Sequence, residues 1–283
     1  MVLPEIVENV LKDYITLLNE HLPGTIEGLY IHGSIALGAY VDDSSDIDFI
    51  TLTNRRLTVR DSEALTDIHR TIENKYSKPE MDGVYALRED MGKLHNSSDN
   101  NIEYPYYNNG ELAFGDYFNF NPITWWVLMS KGIKILGPDI LDFNLDTQPQ
   151  TLTAFVVENM NSYWTYRIQM AEKSLDHLVQ LPTSQIDFEI EWTVLGLLRQ
   201  FFTIKENDIV SKLDAGEYGL TELPVEWHNI IKEAMNIRNG KKEKTFDSEV
   251  VRLDSALNFS KFLINHCNNA SPKNSSRTCL INK

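Results

Sequence analysis

The sequence predicts an α+β domain followed by an all-α helical bundle. Three observations carry this. Up to about residue 145, short apolar strand-like runs alternate with amphipathic helical stretches. From Thr151 on, the apolar periodicity is almost wholly helical. Between the two, IKILGP at 133–138 reads as a short strand that stops at Gly-Pro. The expected division is 1–145, 146–267 and a flexible polar tail, 268–283, with the sequence NNASPKNSSRTCLINK.

The elements follow in order. Ile6, Val10, Tyr14 and Leu17 recur at helical spacing, and Pro23-Gly24 ends that helix. A strand at about 28–32 precedes a second at about 46–53. Residues 61–76 form a helix with Leu65, Ile68 and Ile72 on one side. MDGVYAL at 81–87 is a third strand. Residues 88–120, rich in Asn, Tyr and Gly, read as a long loop. In it, Tyr104, Tyr106 and Tyr107 offer aromatic faces to a base or sugar ring. Asn121 caps a helix that begins at Pro122 and closes at Gly132. In the second half, Ala154, Val157, Trp164, Ile168, Ala171, Leu175 and Leu178 mark one long stripe. Helices at 187–202, 224–238 and 247–266 complete a bundle of about four or five.

Composition narrows the partners. The chain has 283 residues, 42% hydrophobic and 24% charged, the balance of a globular protein. Its net charge is −15, with a pI near 4.9. No basic run offers a nucleic-acid footprint, and an acidic surface suits a small cationic substrate. The two cysteines, Cys267 and Cys279, form neither a metal cluster nor a disulfide framework. A reducing compartment, the cytoplasm, is expected. The N-terminal residues lack a signal-peptide pattern, and no apolar run approaches membrane-spanning length. No exposed apolar patch predicts a dimer, so a monomer is expected.

The most specific stretch is Leu29 to Leu52, LYIHGSIALGAYVDDSSDIDFITL. It reads strand, Gly33-Ser34 turn, short helix, loop, then a strand carrying Asp46 and Asp48. Alternation puts the two carboxylates on one face, with Ile47 and Phe49 on the other. Paired carboxylates repel unless a cation sits between them. Magnesium suits this arrangement, because it takes one or two carboxylates plus substrate phosphates. Gly33 permits close backbone approach, and Ser34 offers a hydroxyl to a phosphate. Asp82, on the next strand, is the candidate third carboxylate, with Glu80 as competitor. His32, beside the turn, reads as a half-buried strand-end residue that bonds locally.

A Gly-Ser turn followed by Asp-x-Asp resembles the nucleotidyltransferase superfamily that includes polymerase β. The two-part layout is similar to the bacterial aminoglycoside adenylyltransferases of the streptomycin and spectinomycin type. LAFGDYF at 112–118 and EIEWTVLGLLRQFFTIKENDIVSK at 189–212 look like further segments of that family. The resemblance implies a nucleotidyltransferase domain with a small mixed sheet and flanking helices, then a helical substrate-binding domain. It implies an enzyme that transfers AMP from ATP to a hydroxyl of an aminoglycoside with Mg2+, giving antibiotic resistance. ATP and drug then bind between the two parts. Asp46, Asp48 and Asp82 would hold the metal, and Gly33, Ser34, Arg199 and Lys212 would contact the nucleotide. Glu189 would face the aminoglycoside and activate its hydroxyl, with Glu191 and Asp187 as rivals.

The chain departs from that pattern. Its Gly-Ser to Asp-x-Asp spacing is slightly long, and His32 stands where Tyr is common. Asp82 stands where Glu is frequent, and Tyr117 replaces a drug-contacting Trp. Two alternatives remain: transfer to another small-molecule or protein hydroxyl, and a non-catalytic nucleotide-binding or antitoxin-like module. The sequence leaves open whether Asp82 or Glu189 is the general base.

Overall fold

The computed structural model describes residues 2–95, 102–241 and 243–270. The chain divides into two compact units. The first is Met1–Phe155 with Asn207–Ser211, and the second is Val156–Glu206 with Lys212–Lys283. The division thus falls after residue 155, later than the residue 145 read from the sequence.

The first unit is built on one mixed sheet of six strands in the order β5-β4-β3-β2-β1-β6. Helix α1 (Glu5–His21) leads into β1 (Ile26–Ile31), the one-turn α2 (Gly33–Ala36) and β2 (Ile47–Thr53). Then come α3 (Ser62–Lys75), β3 (Met81–Ala86), β4 (Tyr104–Asn108) and β5 (Glu111–Gly115). Helix α4 (Pro122–Lys131) and β6 (Ile133–Leu136) complete the sheet. Strands β2 and β3 are parallel, joined through α3, and every other neighbouring pair is antiparallel.

The pleat sorts the β2 side chains. Ile47, Phe49 and Thr51 face one layer, where α1 and α3 supply Val7, Val10, Leu11, Tyr14, Leu18, Leu65, Ile68 and Ile72. Ile50 and Leu52 face the other, with Trp125 and Leu128 of α4, Tyr117 and Phe120. Asp48 shares the parity of Ile50, so it belongs to the second face. Within the first layer a buried chain links Thr51, Tyr14, Tyr85 and His69. Tyr14 lies 3.0 Å from Thr51 Oγ1 and donates to Tyr85 Oη at 2.8 Å, and Tyr85 lies 2.9 Å from His69 Nε2. Tyr107 stacks on His69 at 3.7 Å.

Three expectations need correction. The 88–120 stretch is not one long loop, because β4 and β5 form a hairpin within it. Asn109 and Gly110 make its turn at φ +51° and +76°, the left-handed pair that an Asn-Gly hairpin turn requires. Tyr104 and Tyr107 are accordingly buried in the two cores, with no free face for a ligand. Asp46 immediately precedes β2 rather than lying in it.

Beyond the sheet the single long stripe is broken. Helix α5 (Pro149–Asn159) runs into a π turn at Met160–Trp164, then α6 (Thr165–Lys173). Buried Val156, Met160, Trp164 and Ile168 recur every four residues, a period wider than 3.6, and the π turn absorbs the drift. Ser174 separates the one-turn α7 (Leu175–Leu178). Helix α8 (Thr183–Glu206) then packs against α9 (Lys212–Glu222), α10 (His228–Arg238) and α11 (Glu249–Ala270). Arg252, on α11, is fully buried and pairs with Glu233 at 2.5 Å, Glu249 at 2.5 Å and Asp187. Helix α11 continues to Ala270, so 268–270 of the expected tail are helical. Cys279 and the rest of that tail lie outside the described residues. Among the described residues no helix is long and apolar enough to cross a membrane.

Burial holds two imidazoles neutral. His69 is pushed down from 6.5 to about 3 and His32 to about 4. Between those values and 6.5 the unfolded chain binds more protons than the folded one. Stability is therefore full above about pH 6.5 and declines as pH falls towards 4, by up to about 1.4 kcal/mol per pH unit for each ring. The raised Asp82 carboxyl opposes this below about pH 6, so His69→Gln should remove more than half of the loss in urea-unfolding free energy between pH 6.5 and 5. Parallel curves for the two proteins would contradict this.

Candidate functional site

The site grows from one end of the central strands β1, β2 and β3. Strand β1 ends at Ile31, and the His32 N–H donates to the Asp48 carbonyl at 3.0 Å. The chain then turns at Gly33 with φ +62°. A Cβ added there would lie 1.8 Å from Asp48 Oδ2. The Asp48 carboxylate thus rests against the Gly33 α-carbon, and only glycine satisfies both the backbone angle and the space.

Parallel register sets Asp48 directly beside Asp82. Both share the parity of the second face, so the carboxylates are neighbours on adjacent strands. The Ile47 N–H donates to the Glu80 carbonyl at 2.7 Å and locks that register at its open end. The Glu80 side chain pairs with Lys78 at 2.5 Å. Asp46 is exposed at the entrance to β2. Just before it, Ser44 and Ser45 bond back to Val41, closing a tight turn.

Asp82 is half-buried. Its Oδ2 accepts from Asn108 Nδ2 at 2.5 Å, while Oδ1 is buried without a hydrogen-bond partner. Burial pushes its carboxyl up to about 6, the Asn108 bond opposes this, and the Asp46 charge adds to the rise. The Ser34 hydroxyl is likewise buried and has no hydrogen-bond partner. His32 is buried, with Nε2 unpartnered.

These features fit a hard divalent cation. Asp48 and Asp82 stand in register on adjacent strands, one buried carboxylate oxygen is orphaned, and the Asp46 carboxylate disfavours its charged form. Among the described residues no three His, Cys, Asp or Glu side chains form a ready-made metal cage.

The remaining candidates lie on the second unit. Asp187, Glu189 and Glu191 pair with different partners; at about 100° per residue Glu189 lies on the opposite side of α8 from Asp187 and Glu191. Glu189 pairs with Arg167, whose guanidinium sits 4.3 Å from the Trp192 ring centre. Asp187 pairs with Arg252. Glu191 is buried and binds Lys212 at 3.1 Å and Arg238 at 3.6 Å. Burial lowers the Lys212 ammonium below the usual lysine range; Glu191 opposes this, and Arg238 and Arg199 add to it. Arg199 therefore belongs to the same cluster. Lys212 is the first residue of α9. Tyr117, expected at a drug-contacting position, is buried beside Tyr106, Phe118 and Phe120.

Sequence reasoning missed Asn108 and Arg238. The Asn109-Gly110 pair was the available signal for Asn108, since it marks where β4 must end. Nothing local flags Arg238, whose role depends on how α10 packs on α8.

Residues 168–262 match the family model described as aminoglycoside adenylyltransferase, C-terminal domain. The chain also resembles the crystal structure of the spectinomycin adenyltransferase AAD(9) from Enterococcus faecialis, determined with ATP and spectinomycin. The TM-score is 0.61 at 17% identity, over 90% of this chain and 99% of that one. Comparison with curated protein sequences gave no match. The resemblance read from the sequence, and the α+β plus helical fold it implies, are borne out.

Gly33 has a matched control in Gly24, which has φ +66° but open space around its Cβ position. Gly24→Ala should cost about 1–2 kcal/mol, the left-handed backbone alone. Gly33→Ala should cost at least about 2 kcal/mol more, because the Asp48 carboxylate must move. Equal losses in urea unfolding would show that this carboxylate does not lie against Gly33.

Proposed function

We propose that this chain, whose residues 168–262 match the model of the aminoglycoside adenylyltransferase C-terminal domain, transfers AMP from ATP to a hydroxyl of a small cationic aminoglycoside of the spectinomycin or streptomycin type. The observation that carries the reading is the in-register pair Asp48 and Asp82, closed by Gly33 on one side and entered past Asp46.

Asp46, Asp48 and Asp82 are the residues that would hold magnesium. A divalent ion bound there supplies charge neutralisation at the phosphates and lowers the barrier to displacement at phosphorus. The chain's own groups do the rest. The Gly33 backbone and the Ser34 hydroxyl are proposed to contact the triphosphate. The acceptor oxygen attacks the α-phosphorus, the bond to the bridging oxygen breaks, and pyrophosphate leaves. The acceptor proton passes to a carboxylate. Asp82 is proposed for that task because it stands in register beside Asp48 with one oxygen free of any hydrogen bond. Glu189 is less suited, because Arg167 already holds it.

In the second unit, the cluster of Arg199, Lys212 and Arg238 around Glu191 suits a polyphosphate. Arg199 and Lys212 are proposed to bind it. The buried Tyr117 favours an acceptor recognised without that ring, which leaves another hydroxyl-bearing acceptor as the second reading.

Labelled ATP, magnesium and a panel of aminoglycosides test the proposal. Label should pass to spectinomycin or streptomycin with release of pyrophosphate. Asp46→Asn should lower the rate by more than about 10²-fold without unfolding the protein, since it removes charge that the transition state uses. Full activity in that variant would exclude the mechanism, and label on a different acceptor would select the second reading.

A further inference from the structure

Asp82 reaches the site with one of its two carboxylate oxygens already engaged. Strand β4 runs antiparallel to β3, with Gly83 opposite Tyr107 and Val84 opposite Tyr106. One step further along this register brings Asn108 opposite Asp82. Asn108 is the last residue of β4, and the Asn109-Gly110 turn fixes where that strand stops. Its amide is oriented from both ends. Asn108 Oδ1 accepts from Asn109 Nδ2 at 2.6 Å, which leaves Nδ2 to donate to Asp82 Oδ2 at 2.5 Å. Asp82 Oδ1 remains buried and without a hydrogen-bond partner. Gly33, Asp48, Asp82 and Asn108 thus form one row across four neighbouring chain segments.

We propose that Asn108 is a positioning residue for the third carboxylate. Its amide clamps Oδ2 of Asp82 and presents Oδ1 as the oxygen offered to a divalent cation. The terminal torsion of an aspartate is broad, so an unclamped carboxylate must lose rotational freedom when it binds the ion. A neutral amide removes that freedom beforehand. It also leaves the full negative charge in place, whereas a lysine or arginine at the same point would compete with the metal for it. This inference rests on the reading of Asp46, Asp48 and Asp82 as a cation-binding group.

The test is Mn2+ binding to the full chain without nucleotide, followed by electron paramagnetic resonance. The proteins are wild type, Asn108→Ala, Asn108→Leu, Asp82→Ala and the Asn108→Ala/Asp82→Ala double variant. Leucine keeps the volume of Asn108 without its donor, so one of the two replacements can fail to fold and leave the other to report. Either Asn108 variant should weaken Mn2+ binding about 10- to 100-fold, the usual effect of losing a group that orients a metal ligand. Its kcat for AMP transfer should fall while KM for the acceptor holds. In the Asp82→Ala background, Asn108→Ala should have no further effect on Mn2+ binding. Unchanged binding in both Asn108 variants would overturn the proposal, as would an equal further loss in the double variant. Failure of the functional reading looks different: Asp46→Asn would then bind Mn2+ as wild type does.

Discussion

Everything at the site depends on the parallel pairing of β2 with β3. Among the described strands it is the one parallel pair, and it sets Asp48 level with Asp82. A shift of one residue would turn Asp82 towards α1 and α3 and put Met81 or Gly83 in its place. The pairing is held from both faces. Phe49 and Tyr85 pack in one core, Ile50 and Val84 in the other. Gly83 leaves room for Phe49, because a Cβ there would lie 2.1 Å from the Phe49 carbonyl oxygen. The site is therefore a consequence of core packing. The acids cannot move apart without disturbing both hydrophobic layers.

The same constraint explains the electrostatics. A half-buried carboxylate beside another negative charge is unfavourable, and the fold meets that cost at Asp82 with only one neutral donor. Other buried charges are treated differently. Asp90 is buried but takes Arg56 and Lys93, and Arg252 takes three carboxylates. A carboxylate with a neutral partner stands apart from those saturated pairs. Such a group is suited to bind a cation that arrives with a ligand.

Much of this was legible in the residues. Gly33-Ser34 and Asp46-x-Asp48 announced a turn and a paired acid, because glycine tolerance and strand parity are local properties. MDGVYAL was readable as a strand for the same reason. The β4–β5 hairpin was hidden by its composition. YPYYN and ELAFG are short, and the abundance of Asn and Gly around them suggested a loop although Asn109-Gly110 is a strong hairpin signal. That one omission removed Asn108 from view and left Tyr104 and Tyr107 looking free. The long stripe in the second half failed for another reason. The buried residues there, Val156, Met160, Trp164 and Ile168, recur every four positions while Ala154 of the expected stripe is exposed, and a π turn is invisible to a 3.6-residue template. The partners of Glu189 and Glu191 depend on how separate helices pack, which no local pattern encodes.

The central claim is that the row of acids beside Gly33 holds a divalent cation. Crystals grown with Mn2+ and a non-hydrolysable ATP analogue test it most directly, through the anomalous signal of manganese. The account predicts a peak in direct contact with the carboxylates of Asp46 and Asp48 and with phosphate oxygens of the nucleotide. An ordered nucleotide whose manganese touches neither carboxylate would contradict it.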